Sequence, residues 1–568
     1  MKALRILLIL SVLLAAYSAV VIGLLWPGIG IVLGICVIAA LGKKGVELTA
    51  HGRARWADEG DIPHLLGGNG LIVGHIESKA SKLAGVKALF SRLPSRLAVQ
   101  RFLASCQRKS AKLLVRLNTA CHTMIVAPTG GGKGVSCATP FLLTNQESAV
   151  VVDLSGELVR NTSAARRAMH HKVVILDPYK VVSQSPDTFN PLDAIDGQSE
   201  QMFDECKDLA NALVVRTGQE KDPHWNDRAE ENIGNILCAI AHFAEPEDRS
   251  LQAMRNILAN EEKRGEVLKL MQSSDAFGGI MSRLGNAIAH HGKEELGGIL
   301  STVQRHTRFL DTPAIVANTQ GKSSFNPAEL KTGRMTVYLV MPPEHMRAQS
   351  ALLRMWIASM FRACIRGGAQ ESRKVNFIID EAAALGRMDA INDAIDKYRK
   401  FGIRLQLYFQ SLGQLRVSFP EDQGQTALSN TTQVFFGIND YPTAEYVSNR
   451  LGDHTMIITS GGTGEGESFQ HSQGGNNSYS NSHNNNSNWA QHGRKLLKVE
   501  EVLALPERIA ITFTPGVPPM WTRLIRFYER GSLKSGGIGT VKAVVDTVCL
   551  FLLAAMVAFL STGIYLQR

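Results

Sequence analysis

Ala127-Pro128-Thr129-Gly130-Gly131-Gly132-Lys133-Gly134-Val135-Ser136, led in by the short, mainly apolar run 122–126, decides the fold of this 568-residue chain. The order is strand, glycine-rich turn, helix. Glycines let successive backbone N–H groups converge on phosphate oxygens at a helix N-terminus, and Lys133 adds a point charge for the β- and γ-phosphates. The expected ligand is ATP with Mg2+. Two positions depart from the usual phosphate loop: Ala127 replaces its first glycine, and Gly134 stands where a serine or threonine ordinarily meets the magnesium ion. Either Ser136 or water takes over that place.

A glycine-rich turn alone is weak evidence, so the second half of the site matters more. Lys374-Val-Asn-Phe-Ile-Ile-Asp380-Glu381 has the pattern of a buried parallel strand that ends in two carboxylates, where ligands meet such sheets. Asp380 is expected to position magnesium, directly or through water, and Glu381 to orient and polarise the attacking water. Further strands are expected at 149–154, 173–176, 336–341 and 403–409, alternating with helical stretches. This predicts a doubly wound α/β sheet. Gln410, at the end of the last of these strands, either senses the γ-phosphate or caps the helix that follows.

Outward from this centre the composition changes. Residues 6–42 carry no charge, and Trp26-Pro27-Gly28 breaks the run, which predicts two membrane spans with a tight turn over 1–44. Lys2 and Arg5 before the run, and Lys43 and Lys44 after it, place both ends in the cytoplasm. A third uncharged run, 547–566 within a tail at 531–568, reads as another span or as a buried C-terminal helix. The eight cysteines are dispersed with no CxxC pair, which excludes a disulfide framework or a zinc site of that type. A formal net charge of +10 suits nucleic acid or anionic lipid.

Between 200 and 326 the apolar residues recur near helical spacing, at Phe203, Leu209, Leu213, Ile233, Leu237 and Ile240. An all-α insertion is expected there, with Trp225 as a packing anchor. Residues 460–493 are rich in Asn, Ser and Gly and are expected to form a disordered excursion. Arg450 reads either as a trans-acting arginine at a subunit boundary or as a solvated helix residue.

Several separated motifs resemble the coupling-protein ATPases of type IV secretion and bacterial conjugation, the TraG-type family. They are His51-Gly-Arg-Ala-Arg-Trp56, the loop from Ala127, Asp153-Leu-Ser-Gly156-Glu157, Asp177-Pro178, Phe189-Asn-Pro191, Asp380-Glu381 with Leu385-Gly386, Gln410-Ser411 with Gln414-Leu415, and Arg494-Lys-Leu-Leu. The family usually has Lys where Ser155 stands. The resemblance implies a RecA-like, hexameric motor at the bacterial inner membrane. Such a motor feeds single-stranded DNA with its relaxase, or effector proteins, to secretion-channel components, without strong sequence preference. The expected layout is a membrane hairpin (1–44), a RecA-like domain in two parts (45–199 and 327–530) and the all-α insertion (200–326), to which the family assigns substrate recognition. Two other readings are another hexameric translocase and a docking platform that binds nucleotide but turns it over little; Gly134 and Ser155 motivate the second.

Overall fold

The short apolar runs lack proline and pack on both faces, so they form the interior of one sheet. A computed structural model describes residues 5–10, 13, 17 and 50–529, apart from 79–81, 92–94, 107–110, 217–219, 221, 421 and 471–477. The strands are β1 (Leu71–Ser78), β2 (Ala111–Leu117), β3 (Thr123–Val126), β4 (Ser148–Asp153), β5 (Lys172–Leu176), β6 (Met335–Val340), β7 (Val375–Ile379), β8 (Ile403–Phe409), β9 (Thr432–Phe436), β10 (Asp453–Gln470), β11 (Ser478–Lys495), β12 (Ile509–Phe513) and β13 (Met520–Arg523). Every residue of β3, β4, β6, β7, β8 and β9 is buried. The expected strands at 149–154, 173–176, 336–341 and 403–409 are β4, β5, β6 and β8.

Strand order is β2-β1-β13-β12-β9-β3-β8-β7-β4-β6-β5. From β9 to β5 the neighbours are parallel. From β9 outward to β2 they are antiparallel, an extension not anticipated from sequence. Those outer strands lack the uninterrupted apolar runs of the centre, and the β1–β13 pair, with His75 opposite Arg523, joins segments 448 residues apart in the chain. The order also inserts β8 between β3 and β7, so the C-terminal ends of β3, β8, β7 and β4 stand side by side. In such sheets this edge is where ligands bind.

From 202 to 319 the chain is helical: Met202–Leu213, His224–Phe243, Leu251–Ala259, Glu261–Gln272, Ala276–Ala289, Lys293–Thr307 and Pro313–Thr319. Side chains set the boundaries: Ser250 Oγ accepts from Ala253 N at 3.0 Å, and Asn260 Oδ1 from Lys263 N at 3.0 Å, each satisfying an orphan donor of a helix start. The apolar faces of these helices join the core beneath the sheet: Ile233 and Leu237 belong to one cluster with Val126, Val152 and the fully buried Trp356. Trp225 packs against Gly298, where a Cβ would lie 2.5 Å from its ring, as expected of a packing residue.

A buried cation ties the sheet to its flanking helices. Arg166 is fully buried in the helix Glu157–Ala168, where its Nε donates to Thr336 Oγ1 at 2.9 Å, Nη2 to the carbonyl of Glu147 at 2.5 Å, and Nη1 to that of Asn145. Burial draws its pKa down to about 10. His171 Nδ1 lies 3.1 Å from Nη2, and burial, reinforced by the arginine, lowers its pKa to about 4.

Where a structureless excursion was expected over 460–493, β10 and β11 form an antiparallel ribbon, with Asp453 opposite Lys495 at its base and Gln470 opposite Ser478 at its far end. A two-stranded ladder satisfies the backbone without burying apolar area, so a polar composition does not prevent it. The residues between the two strands, 471–477, lie outside the described residues. The ribbon base also receives the His51 motif. His51 N donates to Thr455 Oγ1 at 3.0 Å, Ala54 N to Asp453 O at 3.0 Å, and Trp56 meets Trp521 edge-on at 5.1 Å.

Among the described residues no helix is long and apolar enough to cross a membrane. The hairpin expected over 1–44 falls, apart from residues 5–10, 13 and 17, outside the described residues, as does the span at 547–566.

Candidate nucleotide site

The glycine loop begins where β3 ends. Gly130 and Gly132 have φ of +79° and +92°, a region closed to most side chains. The loop turns back on itself through Gly131 N to Pro128 O at 3.1 Å, and Ser136 N donates to Gly132 O at 2.9 Å. In the first helical turn, Gly134–Ala138, Thr139 N reaches back five residues to Gly134 O, a wide turn of the kind often found at functional sites.

Lys133 Nζ donates to the carbonyls of Ala127 at 2.7 Å and Pro128 at 3.4 Å. The ammonium is folded onto its own loop. Burial lowers its pKa, while Glu381 and Asp380 pull in the opposite direction. A phosphate would offer this charge a better partner than two neutral carbonyls.

Asp380 follows β7. Burial pushes its pKa up to about 6, and Glu381, Asp153 and Glu157 push the same way against Lys133. Glu381 occupies the left-handed region, φ 59° and ψ 57°, at a cost of roughly 1–2 kcal/mol for a residue with a Cβ. That backbone is held because its side chain is held. Glu381 Oε1 accepts from Gln410 Nε2 at 2.8 Å and from Gln414 Nε2 at 3.2 Å, and Gln414 Oε1 accepts from Gln410 N at 2.9 Å. The alternative role considered for Gln410, capping the next helix, belongs to Ser411, whose Oγ accepts from Gln414 N.

Sequence reading did not assign Gln414 to the site, although the Gln-Ser-x-x-Gln spacing puts both amides within one helical turn. It also left Asp153 unassigned. That carboxylate, 1% exposed, accepts from Val159 N at 2.9 Å and Ser155 N at 3.3 Å, and its burial raises its pKa. Other quoted motifs hold the scaffold. Asp177 gathers the N–H groups of Val181 (2.9 Å), Val182 (2.7 Å) and Ser183 (3.0 Å), and Asn190 caps Leu192 N at 3.1 Å. Arg450 lies over Phe513 of its own chain, with its guanidinium carbon 4.7 Å from the ring centroid, and donates to Tyr446 Oη at 2.8 Å.

No group of three His, Cys, Asp or Glu side chains able to hold a metal ion occurs among the described residues. Asp380, a buried carboxylate at the C-terminal end of β7, is of the kind that suits an ion such as Mg2+, which takes one or two carboxylates and fills the rest of its shell with phosphate oxygens and water. Ser136 is 1% exposed, and its Oγ is enclosed with no partner.

A central parallel sheet carrying a lysine-bearing glycine loop and a carboxylate pair on one edge defines a P-loop NTPase of the RecA-like α/β fold. The chain belongs to the family described as Type IV secretory system Conjugative DNA transfer, which it matches over residues 56–550. It is a type IV secretion coupling protein of conjugative DNA transfer. Among its relatives, "Protein VirD4" of Rhizobium radiobacter is 24% identical over 518 residues, 90% of this chain and 69% of the relative. "Conjugal transfer protein TraG" of the same organism is 27% identical over 415 residues, 70% of this chain and 61% of the relative. The solved "Bacterial conjugative coupling protein TrwBdeltaN70" in complex with sulphate has the same fold: TM-score 0.56, 17% identity, 85% of this chain and 96% of that one. TrwB in complex with the ATP analogue ADPNP aligns at TM-score 0.52 and 17% identity, over 71% of this chain and 85% of that one.

Proposed function

We propose that this chain is a motor anchored at the bacterial inner membrane, which binds ATP on the Lys133 loop and hydrolyses it to drive cargo into a type IV secretion channel. The cargo is single-stranded DNA with its attached relaxase, or effector proteins. The observation that carries the reading is the clamp on Glu381: two glutamine amides fix one carboxylate oxygen beside a glycine loop whose lysine, among the described residues, hydrogen-bonds only neutral carbonyls.

In the proposed reaction the backbone amides of 130–136 and Lys133 bind the phosphates. Asp380 holds the magnesium ion, which neutralises developing charge on the phosphoryl oxygens. Glu381 orients a water molecule for in-line attack and accepts its proton. Gln410 bonds the carboxylate and stands at the end of β8 between the loop and Asp380, a place from which it senses whether a γ-phosphate is present. The motor comprises 45–199 and 327–530, and the helices within 200–326 receive substrate. Copies of the chain assemble as a homo-hexamer, tethered by the apolar segments at 1–44 and 547–566.

The test is ATP turnover by the full chain in detergent, with and without single-stranded DNA. Lys133→Ala is expected to weaken ATP binding by at least about tenfold, the worth of a charge-assisted hydrogen bond, and to abolish DNA transfer between cells. Transfer at the wild-type rate by this variant would overturn the motor. Binding without stimulated turnover in the wild type would favour the docking platform, which Gly134 and the enclosed Ser136 Oγ would suit.

A further inference from the structure

The C-terminal segment after β13 returns to the glycine loop and brings a cation with it. Leu524 N donates to Arg508 O at 2.8 Å, and Phe527 N donates to Val135 O at 3.0 Å, which seats the segment against the first turn after Lys133. Between these anchors Arg526 is 8% exposed. Its Nη2 reaches Gly131 O at only 3.5 Å, its Nε has no partner, and its Nη1 lies 1.5 Å from where a Cβ of residue 132 would stand. So the loop needs glycine at 132 for two reasons: the positive φ and the guanidinium that fills the side-chain space.

No salt bridge to Arg526 occurs among the described residues. Glu529, three residues on, is otherwise engaged: it receives Arg508 Nη1 on Oε1 at 2.6 Å and the backbone N of Arg526 on Oε2 at 3.3 Å. A guanidinium has five N–H donors and cannot lose its charge, so burying it with one long bond to a carbonyl is costly. Such a group is stable in this place if an anion completes it.

We infer that Arg526 is a second cationic contact for the nucleotide phosphates, delivered by the C-terminal segment of the same chain. The inference rests on the reading of the Lys133 loop as a nucleotide site. Lys133 offers one point charge, whereas the arginine fork binds two oxygens at once and fixes the phosphate chain against the loop. It is a positioning and binding residue, since proton transfer falls to Glu381. It also ties nucleotide occupancy to β13, the strand that leads directly into this segment, and to β12 paired with it.

The experiment compares binding of ADPNP and steady-state turnover in the full chain in detergent for wild type, Arg526→Gln, Arg526→Lys and Lys133→Ala. Arg526→Gln is expected to raise the Kd for ADPNP and the KM for ATP about tenfold, with kcat within about threefold of wild type. Arg526→Lys should recover part of the loss, because it restores charge without the fork. A role confined to packing would instead lower the melting temperature and leave Kd and KM unchanged. If Arg526→Gln does not fold, Arg526→Lys carries the test, and wild-type affinity in that variant overturns the proposal. Unchanged affinity in Arg526→Gln with lost affinity in Lys133→Ala also overturns it. Unchanged affinity in Lys133→Ala overturns the nucleotide site itself.

Discussion

Gln410 Nε2 donates to Glu381 Oε1 at 2.8 Å, joining the end of β8 to the end of β7. The two residues are 29 positions apart in the chain and become neighbours because β8 pairs with β7 in parallel register, Leu407 opposite Ile379. One carboxylate oxygen is thereby occupied by amides. If Glu381 is the general base proposed above, Glu381→Gln removes the proton acceptor but keeps the shape, so turnover should fall by roughly 10²–10⁴-fold, the usual worth of a general base. ADPNP binding should stay within a few-fold of wild type. Turnover above a tenth of the wild-type rate would rule out Glu381 as the base.

The second amide makes the clamp a network. Gln414 bonds both the Glu381 carboxylate and the backbone N–H of Gln410. Gln410→Ala and Gln414→Ala should each lower kcat about tenfold, and the double variant should lose less than the product of the two losses, since members of one network do not act independently. Strict additivity in this double-mutant cycle would mean that the amides act separately.

Asp380 sets a pH dependence. Its pKa is raised by burial to about 6, so below that value the carboxyl is protonated and a metal ion must displace the proton. Apparent magnesium affinity is therefore expected to fall about tenfold per pH unit below about 6 and to level off above it. Titrating ATPase activity with magnesium between about pH 5 and about pH 8 checks this. Asp380→Asn should weaken magnesium binding at every pH and remove the step. A wild-type profile flat across the range would contradict the assignment.

Arg166 makes a prediction about stability rather than chemistry. Its guanidinium binds the carbonyls of Asn145 and Glu147 and the hydroxyl of Thr336 in a fully buried place. Arg166→Met leaves those acceptors without donors and should cost about 3–5 kcal/mol. Denaturant unfolding of the full chain in detergent reads this as a lower midpoint. A loss below about 1 kcal/mol would mean that water replaces the guanidinium.

The sequence by itself determined the chemistry-bearing pieces. The glycine run around Lys133 and the apolar run that ends in Asp380-Glu381 are local patterns, because a positive-φ turn and a strand buried on both faces each demand particular residues in succession. Strands β4, β6 and β8 were legible for the same reason, and β5 as a short apolar run. What only the tertiary structure decided depends on pairing between distant segments, which no local pattern encodes. The place of β8 between β3 and β7, the amides of Gln410 and Gln414 on one carboxylate, and the meeting of the His51 motif with the ribbon base are of this kind. The stretch 460–493 reads as structureless, yet its described residues pair in a ribbon, because a ladder that satisfies its own backbone needs no hydrophobic signature. Arg526 was invisible for the plainest reason: an arginine just past a strand looks like any surface residue until the fold lays it, buried, against Gly132.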